Sequence, residues 1–164
     1  MHCTFNDVYL YALLASKSTV ADGLNNTISE VPKHLLVSLN NRPHYHRCVL
    51  MDMLHKHKLL KSNPVSWTTD EIESRRIYDF KYWNPKKVLL DKNYKGHLTS
   101  HSVLPTQFYE SLFSLASEST MDVIFITEKT WVPMLLGKPV VIQGPQHTHK
   151  KLSSWGIEPY DEII

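Results

Sequence analysis

Thr127, Glu128 and Lys129 place a hydroxyl, a carboxylate and an ammonium side by side. They sit inside the stretch "FITEKTWVPMLLGKPVVIQGP", Phe125 to Pro145. A lysine can supply a point charge to a phosphate, and a glutamate can accept hydrogen bonds from sugar hydroxyls. Those are the groups that bind a sugar nucleotide. The plainer reading is a solvated Glu–Lys pair at a helix start, and spacing alone favours it.

Two upstream segments carry matching chemistry. In "SLNNRPHYHR" (Ser38 to Arg47) the forked guanidiniums of Arg42 and Arg47 can each reach a diphosphate. Asn40 and Asn41 suit a turn there. Alone, the segment reads as an ordinary turn with surface arginines. "LASES" (Leu115 to Ser119) ends a strand with Glu118 between two serines, a set that can hold a ribose or sugar, or cap the next turn. The ten histidines include three pairs spaced two apart: His44 and His46, His55 and His57, His147 and His149. On a helix such residues diverge by roughly 200°, so the helical pairs do not chelate together. No metal site is expected. Cys48 lies inside an apolar helical run and makes a poor nucleophile. Gly-x-Gly-x-x-Gly, Walker and Gly-x-Ser-x-Gly motifs do not occur.

These residues need a frame. "HLLVSL" (His34 to Leu39) reads as a buried strand bounded by Pro32 and "NNRP". Pro43 suits a first helical position. Tyr45, Val49, Leu50, Met53, Leu54 and His57 recur at helical spacing and predict a helix to about Leu60. "NPVSW" is a short strand candidate. Thr69, ahead of Asp70 and Glu71, signals a helix start, and the pattern fades near Tyr82. "VLLDKNYKGHLTSHSVLP" reads as a loop-rich insertion. A short helix at "TQFYESL" and a buried strand at Leu112–Ser119 follow, then a short extended piece at Phe125 and Ile126. Pro133 would cost about 3 kcal/mol in a helix interior. The next helix is therefore expected to start near Thr130, with Thr127, Glu128 and Lys129 in the turn before it. Gly137 stops that helix. "KPVVIQG" is a strand, "PQHTHKKLSSWG" a helix and "DEII" the start of another strand. "FNDVYLYALLAS" could be strand or helix, and Lys17–Pro32 reads as linker. Alternating strands and helices predict an α/β fold, a Rossmann-like parallel sheet flanked by helices. Ligands of such sheets bind at the carboxyl ends of the strands, near helix N-termini.

Composition sets wider bounds. The 164 residues suffice for one domain with a sizeable core, and the net charge of +2 does not by itself argue for nucleic acid. Two cysteines, Cys3 and Cys48, are no disulfide framework and point to a reduced, cytoplasmic setting. No basic leading segment or bilayer-length apolar run occurs, so neither a signal peptide nor a membrane span is expected.

Taken together, the Phe125–Pro145 stretch resembles the sugar-nucleotide motif of α1,3-fucosyltransferases and of related glycosyltransferases from phages, viruses and bacteria. Thr127, Glu128, Lys129, Pro139 and Gly144 fall on the pattern. "LVSLNNRPHYHRCVLMDML" resembles the upstream segment of that family, with Arg47, Asp52 and Leu54 matching, and Glu118 in "LFSLASES" matches its strand-ending Glu. The likeness covers His34 to Glu162, with a poor match between Val65 and Leu104. It implies the C-terminal, donor-binding half of a GT-B fold. Arg47 and Lys129 would hold the diphosphate, Glu128 the ribose, and Glu118 would lie near the donor sugar or nucleotide. The implied donor is a nucleoside-diphosphate sugar, GDP-linked in the fucosyl case, with no separate cofactor. The acceptor would be a glycan or another hydroxyl. On this view residues 1–32 are a leading segment or linker and residues 33–164 the donor domain, incomplete at its C-terminus. An acceptor-binding domain, which usually supplies the catalytic base, would come from elsewhere, or a second copy would complete the site. No catalytic base is assigned.

Two rival readings stay open. One is a nucleotide- or anion-binding module that transfers nothing. The other is a single-stranded nucleic-acid-binding protein using the basic and aromatic residues of "RPHYHR", "HKHKLLK" and "RRIYDFKYWNPKK".

Overall fold

Strand β1 (His34–Leu39) is the hub of the sheet, and its last four residues are buried. A continuous apolar run covered on both faces is the signature of a parallel strand. The computed structural model describes Ser29, residues 31–90 and residues 104–157. The expected segments at 5–16 and 161–164, nearly all of the linker, and the middle of the insertion lie outside them.

The chain continues through α1 (Tyr45–Lys56), α2 (Leu59–Ser62), β2 (Val65–Ser66), α3 (Glu71–Ile77), α4 (Thr106–Tyr109), β3 (Ser111–Ser117), α5 (Glu128–Leu135), β4 (Val140–Gln143) and α6 (Thr148–Ser153). The four strands pair in the order β2-β1-β3-β4, and every pairing is parallel. Helices cover the sheet, so this is a Rossmann-like α/β fold. The chain steps from β1 to β2 on one side, then crosses to β3 on the other. That reversal puts the topological switch point between the carboxyl ends of β1 and β3, where open α/β sheets bind ligands.

One face of the sheet packs Leu36, Val65 and Leu115 against Cys48, Met51 and Leu54 of α1 and against Trp67, Phe80 and Trp83. The other packs Val37 and Leu39 against Leu104, Phe108 and Val132. Ile126 and Leu152 form a third cluster with Trp131 and Trp155.

Several expectations need correction. Helix α1 begins at Tyr45 behind His44, so Pro43 lies before the cap and not at the first helical position. Its buried face is Arg47, Cys48, Met51, Asp52 and Leu54, whereas Tyr45 is 63% exposed and Met53 36%. Two buried charged residues rotated the face away from the apolar pattern. The helix stops at Lys56, because Lys58 adopts a left-handed conformation (φ 63°) and starts the separate turn α2. Helix α3 is capped by Asp70, whose side chain accepts the Glu73 N–H, and not by Thr69. It ends at Ile77 rather than near Tyr82. Phe125 and Ile126 form no strand.

Asp52 organises the segment after α3. It is fully buried; one oxygen accepts the Tyr82 and Trp83 N–H groups, both at 2.8 Å, and the other accepts Lys81 N–H at 3.0 Å. Burial pushes its pKa up, but these three bonds and the Tyr78 hydroxyl outweigh it and hold the carboxyl below its usual value. Asp52 therefore fixes the turn that lays Trp83 onto the core.

Candidate functional site at the switch point

The turn into α5 is built on Glu118. Its carboxylate, fully buried just past β3, accepts the Thr127 N–H at 3.1 Å on both oxygens. The Thr127 hydroxyl donates to it at 2.5 Å and the Thr130 hydroxyl at 2.6 Å. Threonines three apart lie on one side of the first helical turn, so a single carboxylate grips both. Thr127 is also the N-cap of α5, its Oγ1 accepting Lys129 N–H at 3.4 Å. The helix thus starts at Glu128, not near Thr130. Pro133 lies inside it, where the ring removes one N–H from a helix of only two turns. Gly137 closes the helix in the left-handed region, φ 72°, as its type allows.

Starting α5 two residues early places Glu128 and Lys129 in its first turn, at the positive end of the helix dipole. Lys129 Nζ pairs with Glu128 Oε1 at 2.7 Å, and both side chains are largely covered, 11% and 28% exposed. They are not the solvated pair of the plainer reading.

From the other side of the switch point, α1 brings Arg47. Its guanidinium is buried and donates to the Ser117 and Glu118 carbonyls at 2.9 and 3.0 Å, with a longer bond to the Arg42 carbonyl. His46 Nε2 lies 2.8 Å from the Glu118 carbonyl, and since a carbonyl only accepts, His46 carries its proton there. Gln143 accepts the Ser117 hydroxyl at 2.7 Å and donates to the His46 carbonyl at 3.1 Å. These bonds lock β3, β4 and the start of α1 together. Gly144 lets β4 end close to them: a Cβ there would meet Thr148 Oγ1 at 3.2 Å and Glu118 Cγ at 3.6 Å.

The electrostatics show which cations converge. The His44 imidazole is held below its ordinary value by burial first, then by Arg47, His46, Arg42 and Lys129. Arg47, Arg42 and Lys129 thus each add positive charge in the neighbourhood of His44. Burial also lowers His46, and it lowers Arg47 while Glu118 and Glu128 pull Arg47 back up. Two buried polar atoms beside the site, Arg47 Nε and Asn40 Oδ1, have no hydrogen-bond partner. A groove of about 310 Å³ opens alongside, between His44, Tyr45 and His46 and the loop Ser119–Asp122.

The structure thus gathers all the residues singled out from sequence: Arg47, Glu118, Thr127, Glu128 and Lys129. It divides their work. Glu118 and Thr127 build the turn, and the plainer reading of Glu118 as the holder of the next turn describes its side chain. Arg47 ties α1 to β3 and lends its charge from below. Lys129, Glu128 and Arg42 are the groups nearest solvent. Thr130, His46 and Gln143 escaped sequence reasoning as site residues, because their partners lie across the sheet. Among the described residues no group of three or more His, Cys, Asp or Glu could hold a metal ion. No described helix is long and apolar enough to cross a membrane.

Comparison with protein-family models, with curated proteins and with solved structures finds no match. What fold and site define together is an α/β domain with a crevice at its switch point, formed by His44–His46 and Ser119–Asp122, behind which Arg47 is buried.

Proposed function

We propose that this crevice binds the diphosphate of a nucleoside-diphosphate sugar, and that the chain is the donor-binding domain of a glycosyltransferase. The observation that carries the reading is that Lys129, in the first turn of α5, and the buried Arg47, held on the Ser117 and Glu118 carbonyls, come from the two sides of the switch point. The positive end of the α5 dipole favours an anion there, and Lys129 and Arg47 add to it. Thr127, Glu128 and Lys129 are also the residues that carry the likeness to α1,3-fucosyltransferases, which makes GDP the first diphosphate to try.

In glycosyl transfer the bond from the anomeric carbon to the diphosphate oxygen breaks, and an acceptor hydroxyl forms the new bond. Negative charge grows on the leaving diphosphate. Lys129, released from Glu128, and the fixed charge of Arg47 are placed to stabilise it, an effect of the oxyanion-hole kind. Glu128 is then free to accept a ribose hydroxyl. The proton of the acceptor hydroxyl is taken by a group not assigned within the described residues. The acceptor, a glycan or other hydroxyl compound, would meet the donor on the open side of the crevice.

A thermal-shift titration with GDP, UDP, CDP, ADP and inorganic phosphate tests this, since a ligand of the native state raises the midpoint with concentration. One diphosphate should raise it in the parent chain and in Lys151→Ala, and not in Lys129→Ala. Equal responses in the two variants would remove the site assignment.

A further inference from the structure

A second cavity, of about 360 Å³, opens beside the edge strand β2, between α1, α2, β2 and residues 83–90. Its interior is formed by Met51, Leu60, Val65, Trp83, Val88 and Leu90. Around these lie His55, Lys61 and Lys86, and no acidic residue lines it. Its volume is within the range that takes small organic ligands, about 300–1,000 Å³.

The walls are fixed by bonds independent of any ligand. Trp67 and Val88 exchange both main-chain hydrogen bonds, at 2.9 and 2.6 Å, which clamps the far wall to the end of β2. Asp52 holds the main chain of Lys81, Tyr82 and Trp83 at the start of that wall. On the near side Asn63 accepts Leu36 N–H at 3.0 Å and donates to the Leu59 carbonyl at 2.9 Å, which seats α2 against β1. The left-handed Lys58 turns the chain so that Leu60 and Lys61 reach the cavity. A site so braced loses little freedom when it binds.

We propose that this cavity is a second ligand site, taking a small amphipathic carboxylate. The apolar chain or ring enters among Met51, Leu60 and Trp83, and the carboxylate stays at the rim with Lys61 and Lys86. Apolar burial gives the affinity, and Lys61 and Lys86, with no acid beside them, select the anion over a neutral or positive ligand of the same shape. A free phosphate has no apolar part to place there. The inference stands apart from the crevice at the switch point and does not depend on what binds there.

The test uses the full chain with methyl-labelled methionine and two probes of equal chain length, octanoate and octanol. Titration with octanoate should shift the Met51 methyl resonance to saturation and leave Met53 and Met134, which do not line the cavity, in place. Octanoate should bind roughly tenfold or more tightly than octanol. The double variant Lys61→Glu, Lys86→Glu, both exposed and so compatible with folding, should lose most of that preference and keep its octanol affinity within about twofold. A Met51 resonance that neither probe moves would overturn the site. Equal affinity for octanoate and octanol, or an octanoate affinity untouched by the double variant, would overturn the anion selectivity. A Met51 shift produced by GDP with the same affinity as octanoate would overturn the separation of the two sites.

Discussion

Removing the Glu118 carboxylate should loosen the turn that presents Lys129. Glu118→Ala strands the Thr127 N–H and the Thr127 and Thr130 hydroxyls in a fully buried place. Each buried donor without an acceptor costs about 1–3 kcal/mol. The hydroxyls can rotate towards other oxygens, whereas the N–H is fixed by the start of α5. The expected loss is therefore about 3–5 kcal/mol, a large part of a typical domain's stability. Glu118→Gln keeps the shape and one acceptor, and its new amide can donate to a rotated hydroxyl, so about 1–2 kcal/mol is expected at neutral pH. The pH dependence separates burial from hydrogen bonding. Burial raises the Glu118 pKa, and bonds from Thr127 and Thr130 with the charge of Lys129 only partly reverse this. The folded protein then keeps a proton in a window where the unfolded chain has released it. The stability contributed by Glu118 is complete below the unfolded value and falls as pH rises through the raised folded one. Glu118→Gln cannot titrate, so the parent chain should gain on it as pH is lowered. The assay is urea unfolding of both proteins across the acid range, taking the difference in midpoint. A difference that moves the other way would show that hydrogen bonds dominate the carboxyl. A Glu118→Ala variant within about 0.5 kcal/mol of the parent would refute the account of the turn.

Asp52→Asn should destabilise by about 1.5–3 kcal/mol near neutral pH, since one of two oxygens holding three main-chain N–H groups becomes a donor. Its lowered folded pKa means that this stability is present above the unfolded value and is lost as pH falls through the folded one, which urea midpoints would report. Lys138 is buried against the Phe108 ring with the Ser111 carbonyl as acceptor, and burial lowers its pKa from 10.5 to about 8. The unfolded chain binds the extra proton between those values, so stability should rise with pH from 8 towards 10.5, and Lys138→Met should abolish that rise in pH-dependent denaturation. The Cys48 thiol is buried and pushed up to about 11, so in a Cys3→Ser background a thiol reagent at pH 8 should react only at the rate of unfolding.

The strands were legible because a short apolar run between turn residues needs no context: "HLLVSL" became β1, and "KPVVIQG" contains β4 at Val140–Gln143. The parallel α/β class followed from their alternation with helices. A helix following Thr127 and stopped by Gly137 was legible too. Strand order was not legible, since the crossing from β2 past β1 to β3 is a long-range choice, and it places the crevice. Local rules misjudged both site helices. The Pro133 penalty argued for a late start to α5, but Glu118, bonded to Thr127 and Thr130 across the turn, holds an early one. The apolar spacing of α1 chose a face with Tyr45 and Met53, while buried Arg47 and Asp52 chose another. Their partners, the Ser117 and Glu118 carbonyls and the main chain of Lys81–Trp83, are remote in sequence. Sequence determined which charged and polar groups the chain carries. The tertiary structure decided which of them are buried, as Arg47, Asp52 and Glu118 are, because a charged side chain is buried only where distant groups satisfy it.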